Sequence, residues 1–472
     1  MKISQLKLKP LPVPPALRKI IGPSFIILGM GLGTGEIILW PYLVSNYGMG
    51  IIWGAILGIS FQFIINMEIS RYALARGESV FVGYSRMLRR LPIWFVISTF
   101  VPWMWPGIAA VSSVIVVNLL RLSPSSTKWV AIIILLMIGM ILSFSKLIYS
   151  TVERFQKAII AIGVPSLLVI SYLVSDQRTV NATLNGLVGV GEGYLFWPPT
   201  IAVATFLAAM AYSGAGGNLN LAQSLYVKEK GYGMGRYSAK LASLFTGASQ
   251  SKKDVALTGA RFAINRRNLD RYNRWWRVIN IEHFIVFWLT GVITLILLAI
   301  LAYATTYGIS GASNNISFVI SEASLIGQKI SPLIGTLFLV IVAATLFGTQ
   351  LSIYDATSRI ITENVLLLMR SDAKASSRQL SLTYYTSLWL FIVSGIIIFL
   401  LDFAQPLQLI IIAAVLNAIS MFVHTGLTLL LNKTKLPRQI QPSTAHTIAM
   451  LVVFVFYGGL SMYVVVAELM KF

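Results

Sequence analysis

The stretch GMGLGTGE, residues 29–36, has glycine at every second position and ends in a carboxylate inside an otherwise apolar segment. A second glycine-rich stretch, SGAGGNLN at residues 213–220, interrupts another apolar segment. A carboxylate in the interior of a membrane is costly and marks a functional site by default. Unwound backbone at the same depth offers amides and carbonyls to an ion or a small substrate. We therefore predict that Glu36 and these two stretches form one binding site.

The composition predicts that these stretches lie in a lipid bilayer. Of 472 residues, 56% are hydrophobic and 11% are charged, whereas about 25% of the residues of a soluble protein are charged. The absence of cysteine excludes disulfides, thiolate metal sites and thiol nucleophiles. Three histidines disfavour a histidine-rich metal centre. The chain has no P-loop and no complete GxGxxG motif, so we expect neither an enzyme nor a resident cofactor.

Eleven apolar stretches are long enough to cross a hydrocarbon core of roughly 30 Å. They are 21–46, 48–72, 92–120, 129–148, 156–176, 197–227, 281–305, 332–366, 382–402, 406–431 and 445–469. A cytoplasmic N-terminus places 32 of the 37 Lys and Arg residues on the cytoplasmic side and 5 outside, as the positive-inside rule requires. The sequence thus predicts an all-α membrane protein with its C-terminus outside. The polar break and the missing cleavage site argue against a signal peptide in the first stretch.

The spans group into two halves of five. We predict a cytoplasmic tail over 1–20, a first repeat over 21–176, a second repeat over 197–431 with a basic cytoplasmic loop at 228–280, and an eleventh span at 445–469. The basic run Lys252–Arg277 falls in that loop, so it is a topology signal near anionic lipid headgroups and not a nucleic-acid site. Trp275 and Trp276 are expected to anchor the membrane interface. The predicted partners are the bilayer and a transported solute, with no obligate protein partner, in a prokaryotic plasma membrane.

The four glycines of the first span allow two interpretations. Gly29 with Gly33, and Gly31 with Gly35, have the GxxxG spacing that lets membrane helices approach closely. Each glycine also costs about 1 kcal/mol of helix propensity relative to alanine, so four of them favour unwinding. Interruptions in spans 1 and 6, five spans apart, are typical of inverted-repeat transporters with discontinuous helices. We predict that spans 1 and 6 are both broken.

The start of the chain, GPSFIILGMGLGTGEIILWPYLVSNYGMGIIW, resembles the first span of the Nramp divalent-metal transporters. The resemblance implies the LeuT-type fold of that family, a five-plus-five inverted repeat followed by an eleventh helix. The residues that carry it are Gly22, Pro23, Tyr47, Gly48 and Trp53 in the first two spans, and Asn218, Leu219, Asn220 and Leu221 in the sixth.

The chain departs from the family at its metal-binding motifs. The Asp-Pro-Gly-Asn motif of span 1 aligns with Gly33, Thr34, Gly35 and Glu36, and the Met-Pro-His motif of span 6 aligns with Ala215–Gly217. A polar ligand of span 10 aligns with Asn417. Span 3 has no ionisable residue between Pro92 and Leu120, so the proton relay that the resemblance implies is absent. The alignment makes Thr34, Ala215, Gly217 and Asn218 candidate residues of the substrate pathway.

The remaining candidate donors are all oxygen atoms, which suit hard cations such as Mg²⁺ or Mn²⁺. Mg²⁺ keeps several waters and needs only one or two carboxylates. This pattern resembles the magnesium-transporting branch related to Nramp, which is expected to work without proton coupling. The candidate metal donors are the Glu36 carboxylate, the side chains of Asn417 and Gln350, and backbone carbonyls near Gly33 and Tyr212.

A second class of substrate stays open. The run GLGTGEIILWPYLVSNYG also resembles the first span of sodium-coupled amino-acid symporters, which carry a glutamate near the position of Glu68. In those proteins half-helix amides bind a substrate carboxylate, which Glu36 would repel, so we place a metal cation first and an organic substrate second. A membrane scaffold without transport activity is the third alternative.

Other polar residues of the spans have simpler explanations. Thr345, Thr349 and Ser352 could line an ion site in span 8, but hydroxyls in membrane helices often bond to their own helix. Asp355 with Arg359, and Glu68 with Arg71, are spaced to form ion pairs along one helix, and we expect His424 to be structural. The predicted mechanism is alternating access, in which spans 1, 2, 6 and 7 rock against spans 3–5 and 8–10.

Overall fold

The computed structural model describes residues 5–15, 22–145, 148–238, 255–309, 317–369, 373–402 and 405–470. Within these ranges the elements of regular secondary structure are helices, apart from four two-residue strands at one end of the bundle. Ten helices are long and apolar enough to cross a membrane, and a sixth span consists of two shorter helices. The molecule is therefore a multi-pass membrane protein, and its eleven spans follow the predicted order.

The spans keep their sequence order below. Their bounds are Pro23–Tyr47 (span 1), Met49–Arg76 (span 2), Leu91–Leu119 (span 3), Pro124–Phe144 (span 4), Ile148–Val174 (span 5), Val203–Ala211 with Leu219–Lys230 (span 6), Arg266–Thr305 (span 7), Pro332–Met369 (span 8), Ser377–Leu400 (span 9), Pro406–Lys435 (span 10) and Thr444–Ala467 (span 11). Shorter helices are Val80–Met87, Gln177–Leu187 and Phe318–Lys329.

Span 6 is broken where predicted. Its first half ends at Ala211 and its second half begins at Leu219. Gly216 and Gly217 lie between the halves with φ of +75° and +52°, a backbone region that side chains rarely adopt. The glycines of SGAGGNLN therefore serve the turn that separates the two half-helices.

Span 1 differs from the prediction in the form of its interruption. Its α-helix changes over Leu32–Leu39 to a π-helix, which contains Glu36, and returns to an α-helix at Trp40. The predicted unwinding is thus corrected to a continuous helix with a wider segment. π-Helical segments are rare and frequently occur at functional sites.

The four alternating glycines of span 1 allow close contact with three other spans. A Cβ built on Gly29 would lie 2.1 Å from the Gln156 side chain of span 5, and one on Gly31 would lie 2.7 Å from Gly214 of span 6. A Cβ on Gly33 would meet Thr349 of span 8 at 2.5 Å, and one on Gly35 would meet the Tyr212 carbonyl at 1.7 Å. Each glycine therefore allows span 1 to pack closely against a different partner, as GxxxG spacing permits.

Span 3 has an interruption that the hydropathy pattern did not predict. Its helix ends at Trp103 and resumes at Gly107, across the sequence Met104-Trp105-Pro106. Proline lacks a backbone N–H and clashes with the preceding turn, so Pro102 and Pro106 account for the break. This break places Trp103 and Trp105 at the depth where span 6 is also broken.

The end of the bundle that carries most Lys and Arg residues is called the basic face, and the sequence predicts it to be cytoplasmic. Strand β1 (Lys7–Leu8) pairs in parallel with β3 (Ala260–Arg261), and β2 (Val255–Ala256) pairs antiparallel with β4 (Lys374–Ala375). The described part of the basic loop thus holds the N-terminal tail. Residues 252–254 of the predicted basic run lie outside the described residues.

The predicted interfacial role of Trp275 is corrected, whereas that of Trp276 stays a prediction. Trp275 is 3% exposed and its Nε1 donates to the Pro12 carbonyl at 2.7 Å, so it holds the tail and does not face lipid. The ring of Trp276 lies under the Arg71 guanidinium, 3.9 Å from its centroid. Span 7 begins at Arg266, well before the predicted residue 281, and both tryptophans belong to this helical extension.

Candidate functional site

The break in span 6 is held open by side chains from two other spans. Gln62 of span 2 donates from Nε2 to the Ala211 carbonyl at 3.0 Å and accepts from the Gly216 amide at 2.9 Å. His424 of span 10 bonds through Nε2 to the Gly217 carbonyl at 3.0 Å. These contacts satisfy backbone groups that a broken helix leaves without intrahelical partners. His424 therefore has a structural contact with the break, as predicted.

Glu36 is enclosed beside span 7 and has an incomplete set of partners. The side chain has no exposed surface, and its Oε2 accepts a hydrogen bond from the Thr294 hydroxyl. Its other oxygen, Oε1, is buried without a hydrogen-bond partner. Among the described residues no basic side chain forms an ion pair with Glu36. A buried carboxylate without a counter-charge is costly, so Glu36 needs a cation or a proton when the site functions.

The other predicted metal donors lie apart from the Glu36 contact. Asn417 donates from Nδ2 to the Tyr212 hydroxyl at 3.0 Å, and its Oδ1 lies against Gly217, 1.8 Å from a Cβ built there. The Gly33 amide donates to the Thr349 hydroxyl at 3.1 Å. Tyr212 and Gln350 line one cavity. The structure thus brings Tyr212, Asn417 and Gln350 to one region, whereas Glu36 contacts span 7.

Carboxylate and imidazole groups do not cluster as they do in a metal centre that binds its ion permanently. Among the described residues no group of three or more His, Cys, Asp or Glu side chains could hold a metal ion. A cation at Glu36 would therefore depend on neutral oxygens for its remaining ligands. Such a weak donor set suits an ion that is bound and then released.

The candidate pathway residues of span 6 are all buried at the break. Ala215 has no exposed surface, and Asn218 donates to the Ser98 and Thr99 hydroxyls of span 3 at 2.8 and 2.9 Å. Gly217 forms the turn described above. The backbone of Thr34 lies in the π-helical segment, and its side chain lies outside the described residues.

The three hydroxyls of span 8 have different partners. Thr345 donates to the Ile341 carbonyl of its own helix at 2.8 Å. Thr349 donates across to the Gly29 carbonyl of span 1 at 2.7 Å. Ser352 accepts from Gln156 Nε2 at 2.7 Å. The hydroxyls therefore join spans 1, 5 and 8 in this conformation. Gln156 was not predicted, since a single glutamine in an apolar span gives no pattern.

A cavity at the break of span 3, which we call the aromatic chamber, is the second candidate site. It is a narrow cavity of about 10 Å³, enough for roughly one water molecule. Trp103 stacks on Tyr212, with ring centroids 5.5 Å apart, and is 3% exposed. The Nε1 atoms of Trp103 and Trp105 are buried without a hydrogen-bond partner. The lining residues are Trp103, Trp105, Gly107, Ile108, Tyr212, Gln350, Ile410 and Ala413.

The basic face is closed by ion pairs from the end of span 6. The three consecutive residues Lys228–Lys230 alternate in charge and pair with opposite charges on spans 8 and 5. The nitrogen–oxygen distances are 3.0 Å for Lys228 with Glu363, 3.7 Å for Glu229 with Arg359, and 3.0 Å for Lys230 with Glu153. These pairs join a span of the predicted moving bundle to the predicted scaffold.

The two ion pairs predicted from helical spacing are confirmed. Arg359 pairs with Asp355 at 2.8 Å, and Arg71 pairs with Glu68 at 2.9 Å. Glu68 also contacts His446 Nδ1 at 2.8 Å, at the start of span 11. Glu68 is therefore part of the closure at the basic face and not of the region around the breaks.

The opposite face carries a smaller polar cluster. Glu192 accepts hydrogen bonds from Tyr303 and Tyr307, at 2.5 and 3.1 Å, and from Arg178 at 3.2 Å. The hydrogen bond from Tyr303, followed by the Arg178 contact, holds the pKa of Glu192 below its usual value. The cluster ties the connection between spans 5 and 6 to the end of span 7.

Comparisons with known proteins identify the fold. The manganese transporter of Eremococcus coleocola, solved with an aromatic bis-isothiourea substituted compound, is 14% identical; the match covers 98% of this chain and 90% of that chain, with a TM-score of 0.69. Mhp1, a nucleobase-cation-symport-1 family transporter solved with bromovinylhydantoin bound, is 13% identical over 97% and 94% of the chains, with a TM-score of 0.55.

The fold is that of the LeuT-type transporters. MhsT, solved in complex with L-phenylalanine, is a third similar structure, 14% identical over 94% of this chain and 97% of that chain, with a TM-score of 0.50. No family model matches the sequence, and no curated protein matches it. The LeuT-type fold confirms the architecture that the broken span 6 and the order of eleven spans predict.

Proposed function

We propose that the protein is a secondary transporter in which Glu36 binds a cation. This cation is either the cargo itself or the coupling ion that drives the transport of another solute. The supporting observation is the enclosed Glu36 carboxylate, which has one unpaired oxygen and forms no ion pair with a basic side chain among the described residues. An ionisable group inside a membrane is functional by default. Its position in a π-helical segment beside the break of span 6 is consistent with a site that opens and closes during transport.

The cargo that we propose first is a hard divalent cation such as Mg²⁺ or Mn²⁺. The donors that we propose for the cation are oxygen atoms, without thiolate, and such ligands suit hard ions. The similarity in fold to the Eremococcus coleocola manganese transporter agrees with this class of cargo. Because Asn417 and Gln350 lie beside span 6 and Glu36 contacts span 7, we expect span 1 to move before all three act together.

Import is the direction that we propose. An inside-negative membrane potential contributes about 2.3 kcal/mol per charge per 100 mV to the entry of a cation. Span 3 has no ionisable residue between Pro92 and Leu120, so we propose that uptake does not acidify the interior.

The aromatic chamber favours a second candidate, a symporter of a small organic substrate in which the cation at Glu36 is the coupling ion. The chamber is lined by aromatic, amide and aliphatic groups and carries no charge. Mhp1, a nucleobase-cation symporter with bromovinylhydantoin bound, has the same type of fold. Under this candidate the cation and the organic substrate occupy separate sites.

The two candidates are separated by uptake into proteoliposomes with entrapped indicators. Mg²⁺, Mn²⁺ and Ca²⁺ are compared under an imposed inside-negative potential while the internal pH is recorded, with protein-free liposomes as the control. Saturable entry of Mg²⁺ or Mn²⁺ without acidification supports the first candidate. No flux of any of the three ions through folded protein contradicts it and leaves the symporter.

A further inference from the structure

The N-terminal segment has the composition of a polyproline II ligand. Residues 9–15 read KPLPVPP and have no regular secondary structure. Proline fixes its own φ at about −65°, and the residue before a proline favours the extended or polyproline II region. A polyproline II chain has no internal hydrogen bonds, so its carbonyl groups remain free for other partners.

Three consecutive carbonyls of this segment accept hydrogen bonds from side chains at the basic face. The Pro10 carbonyl accepts from the Tyr237 hydroxyl at 2.7 Å. The Leu11 carbonyl accepts from Arg271 Nη1 at 3.0 Å, and the carbonyl that follows accepts from Trp275 Nε1 at 2.7 Å. Surfaces lined by aromatic side chains are the usual binding sites of proline-rich peptides. The contacts are therefore those by which such a peptide is recognised.

One apolar side chain anchors the segment on this surface. Leu11 is 1% exposed, whereas Val13, two residues further along, is 59% exposed. The Lys9 amide adds a backbone hydrogen bond to the Arg261 carbonyl at 2.8 Å. We call the surface that holds the segment the tail site, which consists of Tyr237, Arg271, Trp275 and strand β3 (Ala260–Arg261).

The helix that forms part of the tail site also holds the start of span 1. Arg271 and Trp275 are one turn apart in the helical extension of span 7, and Glu282 follows two turns later on the same face. Glu282 accepts hydrogen bonds from the Gly22 amide at 3.4 Å and from the Ser24 hydroxyl at 2.5 Å. The N-terminal segment and the start of span 1 are thus fixed along one face of one helix.

The seated segment is also connected to the predicted scaffold. Strand β1 pairs with β3, and β2, which precedes β3 in the same loop, pairs with β4 between spans 8 and 9. The Leu257 amide adds a hydrogen bond to the Ala373 carbonyl at 2.8 Å. The segment therefore joins spans 1 and 7 of the predicted moving bundle to spans 8 and 9 of the scaffold. Relative movement of the two groups at the basic face must break some of these contacts.

We infer that the basic face carries a binding site for an extended, proline-rich peptide, and that residues 7–15 of the same chain occupy it as a strap. The strap leaves the tail site before the basic face opens. The binding site does not depend on the identity of the cargo, whereas the role of the segment as a strap rests on the proposed transport function.

Binding is tested on the purified, full-length protein with a fluorescent peptide of residues 5–15, QLKLKPLPVPP. The attached segment has an effective concentration of about millimolar, so it must first be displaced. Leu11→Asp places a charge at the buried anchor and should vacate the site. Val13→Asp is the matched control at an exposed position of the same segment. Fluorescence anisotropy is recorded as the peptide is titrated, and the same peptide with Leu11→Asp is the control ligand.

The inference predicts saturable binding of the peptide to the Leu11→Asp protein. Binding should be at least about tenfold weaker to the Val13→Asp protein, because its own segment occupies the site. Adding Tyr237→Phe to Leu11→Asp removes one hydroxyl donor and should weaken peptide binding about twofold to tenfold. Equal binding to the Leu11→Asp and Val13→Asp proteins, or no saturable binding to folded Leu11→Asp protein, overturns the inference.

The role as a strap is tested by the accessibility of a single cysteine. The chain has no cysteine, and Ser224 is buried in span 6, so Ser224→Cys should react with a membrane-impermeant maleimide when the basic face opens. Leu11→Asp should raise the labelling rate about tenfold, as expected for the loss of one buried leucine side chain, and Val13→Asp should leave it unchanged. Equal rates in the two variants would show that the segment is not a strap.

Failure of this inference is distinguishable from failure of the proposed function. Glu36→Gln in the Leu11→Asp protein should leave the affinity for the peptide unchanged, because Glu36 contacts Thr294 and not the tail site. Peptide binding and the labelling difference without uptake of any divalent cation would retain the strap and reject the divalent cargo. Uptake that depends on Glu36, without peptide binding, would do the reverse.

Discussion

The Cα of Gly35 in span 1 lies against the carbonyl oxygen of Tyr212 in span 6, so that a Cβ on Gly35 would stand 1.7 Å from that oxygen. Spans 1 and 6 therefore touch directly at the end of the first half of span 6. Neither backbone can move away from the other without displacing the break in span 6, which hydrogen bonds from Gln62 and His424 keep in place. The contact couples the position of Glu36, one residue further along, to the geometry of the break.

Gly35→Ala is predicted to impair transport more than the addition of a single methyl group would suggest. The added methyl group must push span 1 away from Tyr212, although alanine favours a helix by about 1 kcal/mol. The matched control is Gly459→Ala in span 11, where a Cβ would meet nothing within 4 Å. We expect uptake to fall at least tenfold in the first variant and to be unchanged in the second. Equal uptake by the two variants would show that the contact does not matter.

Thr294→Val tests the hydrogen bond to Glu36. The substitution keeps the shape of the side chain and removes the hydroxyl that donates to Oε2. Both Glu36 oxygens would then lack a protein donor, so we expect a changed apparent affinity for the cation in uptake assays. Thr294→Ser keeps the hydroxyl and should restore most of the affinity. A valine variant with the kinetics of the unmodified protein would exclude a role for Thr294.

The ion pair between Lys228 and Glu363 is predicted to keep the basic face closed. Lys228→Glu places two carboxylates together, and breaking one partner of a buried pair costs about 3–5 kcal/mol. The chain has no cysteine, so Ser224→Cys, buried in span 6, gives a label site without background. We expect a membrane-impermeant maleimide, applied at the basic face, to label this cysteine faster after Lys228→Glu.

The reversed pair Lys228→Glu with Glu363→Lys should return the labelling to its original rate. Lys128→Glu is the control, since Lys128 and its partner Asp402 are 30% and 78% exposed and exposed pairs contribute little. Faster labelling in the double variant than in Lys228→Glu alone would mean that the pair does not control access.

Glu322 makes stability depend on pH. It lies in the helix Phe318–Lys329 outside the spans, and burial raises its pKa to about 8 from the ordinary value of 4.5. Between these pH values the folded protein keeps a proton that the unfolded chain has lost, so the free energy of unfolding falls as the pH rises. Glu322→Gln should therefore raise Tm at pH 9 by a few degrees and change it little at pH 4.

Glu192 is the control for this prediction, because its substitution should change Tm at pH 9 in the opposite direction. The pKa of Glu192 is held low, chiefly by the hydrogen bond from Tyr303. Its ionised form stabilises the fold above the ordinary pKa, and this contribution is lost as the pH falls. Glu192→Gln should thus lower Tm at pH 9. The assignment of Glu322 would be wrong if Glu322→Gln lowered Tm at pH 9 as well.

The sequence predicted those features that depend on composition and local pattern. Hydropathy located eleven spans, and the glycines at 216 and 217 located the break in span 6 because a backbone with positive φ favours glycine. The spacing of Asp355 and Arg359 predicted their ion pair. Each of these features is determined by residues within a few positions of one another.

Features that depend on packing between distant residues were not predictable in this way. The partners of Gly29 and Gly33 are Gln156 and Thr349, more than a hundred residues away, and they turn a predicted unwinding into close packing. Trp103 and Trp105 look like ordinary apolar residues until the break of span 3 places them beside Tyr212. Pro102 and Pro106, one on each side of the two tryptophans, are the sequence signal from which this break could have been predicted.

We expect transport to depend on the cation that Glu36 binds. The most direct measurement is cation-dependent uptake by Glu36→Gln in proteoliposomes, compared with Glu322→Gln as a second buried carboxyl outside the spans. Glutamine keeps the size of the side chain and cannot carry the charge. We expect Glu36→Gln to fold with an unchanged fluorescence spectrum and to lose uptake, whereas Glu322→Gln should retain it. Uptake by Glu36→Gln at the rate of the unmodified protein would exclude this role of Glu36.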